Sequence, residues 1–147
     1  MANVFNVAKF ILEKSINKIS TMKLQKLCYY SQAWNLVWED KPLFKEEIQA
    51  FANGPVIRKL YDLHKGNFSI DASFFTKEKL SNNNLTDKEQ KNILKVMSYY
   101  GEKSPQWLSD LSHIETPWKD ARNGCSAGER CEKEITIESM LEYYSSL

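Results

Sequence analysis

The run from Met22 to Trp38, MKLQKLCYYSQAWNLVW, constrains the fold more than any other stretch of the chain. Lys23 and Lys26 stand near its start, and the twelve residues from Leu27 to Trp38 then carry no charge. Leu24, Leu27, Trp34 and Trp38 recur near one face at helical spacing, and Tyr30, Ala33 and Val37 recur on another. A helix on a protein surface shows charge on its outer face. This one shows almost none, so it reads as the central helix of a packed α domain, covered on most sides, with Trp34 well buried. It is too short to span a bilayer, which takes about 20 apolar residues.

The flanking segments supply helices to cover it. A first helix is expected from Asn3 to about Lys14, with Val4, Val7, Ala8, Ile11 and Leu12 on one face. Thr21 is placed to cap the central helix. Glu47 to Ala52 reads as a short edge strand, and Gly54-Pro55 as a helix start, with proline at the first helical position. Thr86 and Glu89 form a capping box for a helix that stops at Gly101. Ser104-Pro105 and Thr116-Pro117 open two more helices, and Thr136 caps a last one. Ile135 is expected to pair as a short strand near Gln49. Asn67 to Leu85 fits no period. The expected fold is mainly α: a compact single-domain helical bundle over residues 1–147, around a central buried helix, with a small β ribbon and a variable segment at about 67–85.

The net charge of +1 argues against binding nucleic acid by bulk electrostatics. The charge is unevenly spread. Lys9, Lys14, Lys18, Lys23 and Lys26 face only Glu13 in the first 35 residues, while Glu129, Glu132, Glu134, Glu138 and Glu142 gather near the C-terminus against Arg130 and Lys133. Two readings stand: solvated helix faces, or a basic face that meets an acidic partner. The opening MANVFNVAKFILEK lacks the pattern of a signal peptide, so a cytoplasmic protein is expected. Cys28 reads as a small buried hydrophobe. Cys125 and Cys131 are spaced C-x5-C, which is not a usual zinc pair, and are expected as free thiols.

No phosphate-binding loop, dinucleotide glycine pattern, nucleophile elbow or H-E-x-x-H is present. His64 and His113 are the only histidines. A hydrolase built from Cys28, His113 and Glu115 has no local support, because Cys28 sits in a helix interior rather than at an N-terminus that would lower its pKa. The chain therefore reads as a non-enzyme with no metal and no cofactor. A more specific constellation is His113-Ile-Glu-Thr-Pro-Trp118-x-x-Ala-Arg122. Pro117 fixes a helix start, Trp118 is a large anchor with one donor, and Arg122 can stack on that ring or pair with Glu115. It reads either as a structural corner or as part of a partner surface.

These blocks carry a resemblance. The order M-K-L-Q-K-L-C-Y-Y-S-Q-A-W (22–34), P-L-F (42–44), F-A-N-G-P-V (51–56), L-Y (60–61), S-H-I-E-T-P-W-K-D-A-R-N-G (112–124) and a final I-x-x-x-x-M-L-x-Y-Y (135–144) resembles the Panacea-domain family of phage-associated GepA-like proteins and SocA-like antitoxins. It runs from about Val4 to Tyr144. Cys28 stands where the family commonly has an aliphatic residue, Asn35 where it has histidine, and Phe51 where it has tryptophan. The resemblance implies a helical antitoxin that neutralises a cognate toxin by direct binding. Some members are similar to adaptors that hand the toxin to a protease, so an AAA+ protease joins the toxin among expected partners. The alternative is a phage or mobile-element accessory protein that inhibits another host system by protein binding.

The matching motif residues are Lys23, Leu24, Gln25, Lys26, Leu27, Tyr29, Tyr30, Gln32, Trp34, Gly54, Pro55, Val56, His113, Pro117, Trp118 and Arg122, and a structural role is expected for them. A neutralising module needs exposed aromatic anchors. Phe68, Phe74 and Phe75 fall where no helix demands them, so this segment, together with Tyr29, is the expected partner surface.

Overall fold

A computed structural model describes residues 1–147. Some 54% of them are helical. Helix α1 (Val4–Lys14) is opened by a capping box between Asn3 and Asn6. The central helix α2 (Thr21–Glu39) runs through the middle of the fold and ends at Asp40 in the left-handed conformation. Its cap is Ser20, which accepts from the Lys23 N–H, and not Thr21. The Thr21 hydroxyl is turned instead to the carbonyls of Asn67 and Phe68, where it ties down the irregular segment.

Strands β1 (Ile48–Phe51) and β2 (Gly54–Ile57) form an antiparallel hairpin that pairs Ile48 with Ile57 and Phe51 with Gly54. The expected helix start at Gly54-Pro55 is thus overturned. The cause lies in α2: the Ile57 N–H donates to Gln25 Oε1 at 2.8 Å, and Gln25 Nε2 donates back to the Ile57 carbonyl at 3.3 Å. This side-chain clip holds the backbone extended, and helix α3 (Arg58–His64) begins only after it. The outer edge of β1 is covered as expected near Ile135, whose N–H donates to Ile48, while Gln49 bridges to Glu134.

The irregular stretch contains one 3-10 turn at Ala72–Phe74. Helix α4 (Asp87–Tyr100) opens with the Thr86–Glu89 capping box. Helices α5 (Pro105–Ile114) and α6 (Thr116–Ala121) each carry proline in the first turn, and Thr136 caps α7 (Ile137–Ser145). One continuous apolar core joins side chains of α1, α2, both strands, α3, α4, α5 and α7. No helix is long and apolar enough to cross a membrane.

Two further expectations are corrected. Cys125 and Cys131 are not free thiols but a disulfide, with Cα atoms 6.2 Å apart. The loop between them folds back through Gly128, at φ 78, and the Arg122 guanidinium gathers the Ser126 and Glu129 carbonyls. Cys28 is the one free thiol and is buried. Trp34 is half-buried rather than enclosed, and Trp38 is 41% exposed. The end of α2 is covered at Ala33, Asn35 and Leu36, but its Trp34–Trp38 face is left partly open and forms a wall of a groove.

Candidate functional site

Three helices build that groove, each with residues four apart on one face. Helix α2 gives Trp34 and Trp38, α4 gives Lys95 with Tyr99 and Val96 with Tyr100, and α5 gives Trp107 and Leu111. The groove encloses about 500 Å³, and Glu115 and Leu147 complete its lining. The Trp34 and Trp38 rings stack at 5.7 Å, and the Trp34 indole N–H donates to the Tyr100 hydroxyl at 3.0 Å. Two ammonium groups lie against the rings: Lys95 at 4.9 Å from the Trp38 centroid and Lys103 at 4.8 Å from that of Trp107. Each is a cation–π contact; Lys95 also lines the cleft, and Lys103 meets it through the Trp107 ring.

A carboxylate sits at the base. Glu115 occupies the joint between α5 and α6 and is only 4% exposed. The Tyr30 hydroxyl donates to its Oε1 at 2.7 Å, and the Tyr144 hydroxyl lies 2.8 Å from the same oxygen. Tyr29 stands behind, its hydroxyl 3.0 Å from that of Tyr144. With one proton per hydroxyl, the arrangement that serves the carboxylate runs from Tyr29 to Tyr144 to Glu115. No protein group donates to the second oxygen, Oε2. Burial raises the Glu115 pKa above the ordinary carboxyl value, and the two tyrosine hydroxyls oppose that rise. Burial also holds the Tyr100 hydroxyl up at about 12. Tyr100 in turn stacks flat on Tyr30 at 4.3 Å, so the groove wall and the network beneath it form one unit.

The motif residues are tied to internal partners. Leu24, Leu27 and Tyr30 lie in the core, and Lys23 Nζ donates to the Gly101 carbonyl. Gln32 bridges the Leu43 N–H and the Phe44 carbonyl, which fixes the chain after α2. Gly54, Pro55 and Val56 form β2, and Pro55 offers its carbonyl to Lys26 at 3.3 Å. His113 stacks on Trp118 at 4.1 Å, while Pro117 is buried beside them. Trp118 donates its indole N–H to the Phe51 carbonyl at 2.8 Å. Arg122 does not pair with Glu115. Its guanidinium stacks on Trp118 at 5.2 Å and donates to the carbonyls of Ala50, Ser126 and Glu129.

The expected partner surface fares differently. Phe68 is 81% exposed, and Phe74 is half-buried against the core. Phe75 and Tyr29 are buried: Phe75 packs on Phe5 at 5.8 Å, and Tyr29 belongs to the hydroxyl network. Neither has surface to offer a partner, because each side chain is needed by the core. The groove itself was missed. Its signal in the sequence was an excess: Trp38, Tyr99 and Trp107 sit on helix faces that the core does not use. Cys28 is fully enclosed, and burial pushes its thiol pKa up, away from a reactive thiolate. No three metal-ligating side chains lie together.

The family described as Antitoxin SocA-like, Panacea domain matches residues 24–119, a span that runs from the first turn of α2 into α6 and so includes the groove's three helices and Glu115. No curated protein and no solved structure matches the chain.

Proposed function

The chain belongs to the SocA-like, Panacea-domain antitoxin family, and on that premise we propose that it neutralises a cognate protein toxin by binding it directly through the aromatic groove. The observation that carries this reading is the set of large aromatic side chains left open between α2, α4 and α5 with a lysine at each side. Aromatic anchors in a water-shielded cleft supply most of the binding energy at protein interfaces. Burying the exposed parts of Trp38, Tyr99 and Trp107 gives a partner an apolar centre, and Lys95 and Lys103 give it a polar rim. Phe68 stands elsewhere, on the segment held by Thr21, and is the natural control surface. The protein acts in the cytoplasm as a binding module, without catalysis.

Co-expression with the product of the neighbouring gene tests this. Growth rescue by the wild type, lost in Tyr99→Asp or Trp107→Asp proteins that melt as the wild type does, is the expected result. Rescue that survives these variants but fails with Phe68→Asp moves the interface to the irregular segment. The same rescue in a host lacking its AAA+ proteases separates neutralisation by occlusion from delivery to a protease; occlusion predicts that rescue persists.

A further inference from the structure

The groove has a chemistry more specific than an apolar cleft, and it limits what can enter. Its walls are aromatic, the ammonium groups of Lys95 and Lys103 lie against two of the wall rings, and Glu115 in its lining has a carboxylate oxygen, Oε2, that accepts from no protein group. We propose that it takes an acidic partner segment anchored by a tryptophan: the indole enters between Trp34 and Trp107, its N–H donates to Glu115 Oε2, and flanking carboxylates pair with Lys95 and Lys103. This deepens the reading of the protein as a binding module and rests on it.

Each part follows from the site. A phenylalanine or leucine anchor fills the volume but removes water from Oε2 and supplies no donor, so a buried acceptor is left unsatisfied. A lysine or arginine anchor supplies donors, but it must pass two cations that already lie on the ring faces. A tyrosine anchor donates and also carries oxygen lone pairs that the apolar walls cannot serve. An indole N–H is a donor only. Its ring also matches the offset and edge-on packing that Trp34, Tyr99 and Tyr100 offer. The rim sets the charge of the flanks, because opposite charges steer encounter and like charges reject the wrong partner.

Capped pentapeptides test the assignment on the full-length protein: Asp-Glu-Trp-Glu-Asp, the same peptide with 1-methyltryptophan, with phenylalanine, and with lysine at all four flanks. Binding is read by calorimetry and by the indole N–H resonances of Trp34 and Trp107. The acidic tryptophan peptide should bind saturably and shift those resonances. Removing the indole N–H by methylation should weaken it about tenfold, as expected for a lost hydrogen bond that leaves a buried acceptor unpaired. Lysine flanks should abolish binding, and Lys95→Glu with Lys103→Glu should reverse the flank preference. Equal affinity for the methylated peptide, tighter binding of the lysine-flanked one, or shifts confined to other residues overturns the proposal. If no peptide binds while Trp107→Asp still loses neutralisation, this occupant is wrong and the antitoxin reading stands. If the peptides behave as expected while Trp107→Asp neutralises fully, the occupant is right and the groove is not the toxin site.

Discussion

Lys26 offers the sharpest test of how this fold is held together. It lies in the second turn of α2 and is 1% exposed. Its ammonium makes one hydrogen bond, to the Pro55 carbonyl at 3.3 Å, and no ion pair includes it. Burial lowers its pKa from 10.5 to about 8. Below pH 8 the group is protonated in both the folded and the unfolded chain, and the folded state bears the full desolvation penalty. Between pH 8 and 10.5 the unfolded chain binds the extra proton, so stability rises with pH. At 1.36 kcal/mol per pKa unit, the gap between 10.5 and about 8 corresponds to about 3 kcal/mol. For a chain of this length that is about 6–12 °C in Tm. Above about pH 10 the rise is reversed by Tyr29, Tyr30 and Tyr144, which burial keeps protonated while they ionise in the unfolded chain. The measurement is thermal unfolding of wild type and Lys26→Met at half-unit steps from pH 7 to 10. Methionine keeps the unbranched shape, loses the hydrogen bond and loses the charge. The variant should be the more stable protein at pH 7, by about 2 kcal/mol once a lost hydrogen bond of about 1 kcal/mol is deducted, and the difference should shrink steadily above pH 8. A variant less stable at pH 7, or a difference that does not change with pH, refutes the argument.

Other perturbations read neighbouring parts of the fold. At Gly54, φ is +121 and an added Cβ meets Lys26 Cε at 2.5 Å and Ser112 Oγ at 2.9 Å, so Gly54→Ala should lower stability by about 1–3 kcal/mol in denaturant titration. Arg122→Lys keeps the charge but loses the planar fork on three carbonyls; amide exchange across 123–131 should accelerate while α2 stays protected. Tyr144→Phe removes one of the two donors to Glu115 and should cost about 1–2 kcal/mol in the same titration. Glu115→Gln keeps an acceptor for both tyrosines but can turn an N–H₂ into the groove. It should leave Tm unchanged or raised and abolish binding of the acidic tryptophan peptide.

Much of the fold was legible because its causes are local. The caps at Thr86, Ser104 and Thr136, the proline-led turns of α5 and α6, and the periodicity of α1 and α2 each act within one turn of the residues that encode them. The misses have distant causes. Gly54-Pro55 carries a local helix signal, but Gln25, far back in the chain, satisfies the Ile57 backbone as a strand would and holds it extended. Phe75 has no period, yet Phe5 of α1 gives it a place in the core. The disulfide depends on a loop gathered by Arg122. The groove needs faces of three helices at once, and the charge-free run that ends at Trp38 reads alike whether a face is covered or left open. Glu115 was visible as a residue, but its role depends on Tyr30 and Tyr144, which lie far from it in the chain.

Two buried ionisable groups, Lys26 and Glu115, separate the structural part of this molecule from the part open to a partner. They are not paired with each other, and each lacks an opposite charge. Lys26 is sealed beneath the hairpin, its aliphatic stem packed against the bare backbone of Gly54. Its charge faces only a carbonyl, and nothing from outside can reach it. Glu115 is also buried, but its surroundings are asymmetric: one oxygen is held by two tyrosine hydroxyls, the other accepts from no protein group, and the residue lines a groove of aromatic rings. A network whose only task was to join α2, α7 and the α5–α6 joint would be as well served by an apolar residue of similar volume, since replacing a buried charge by good packing is often neutral or favourable. Holding a carboxylate there, with its position fixed from behind and an acceptor open in front, gains stability from neither side. It gains specificity only when a donor arrives through the groove.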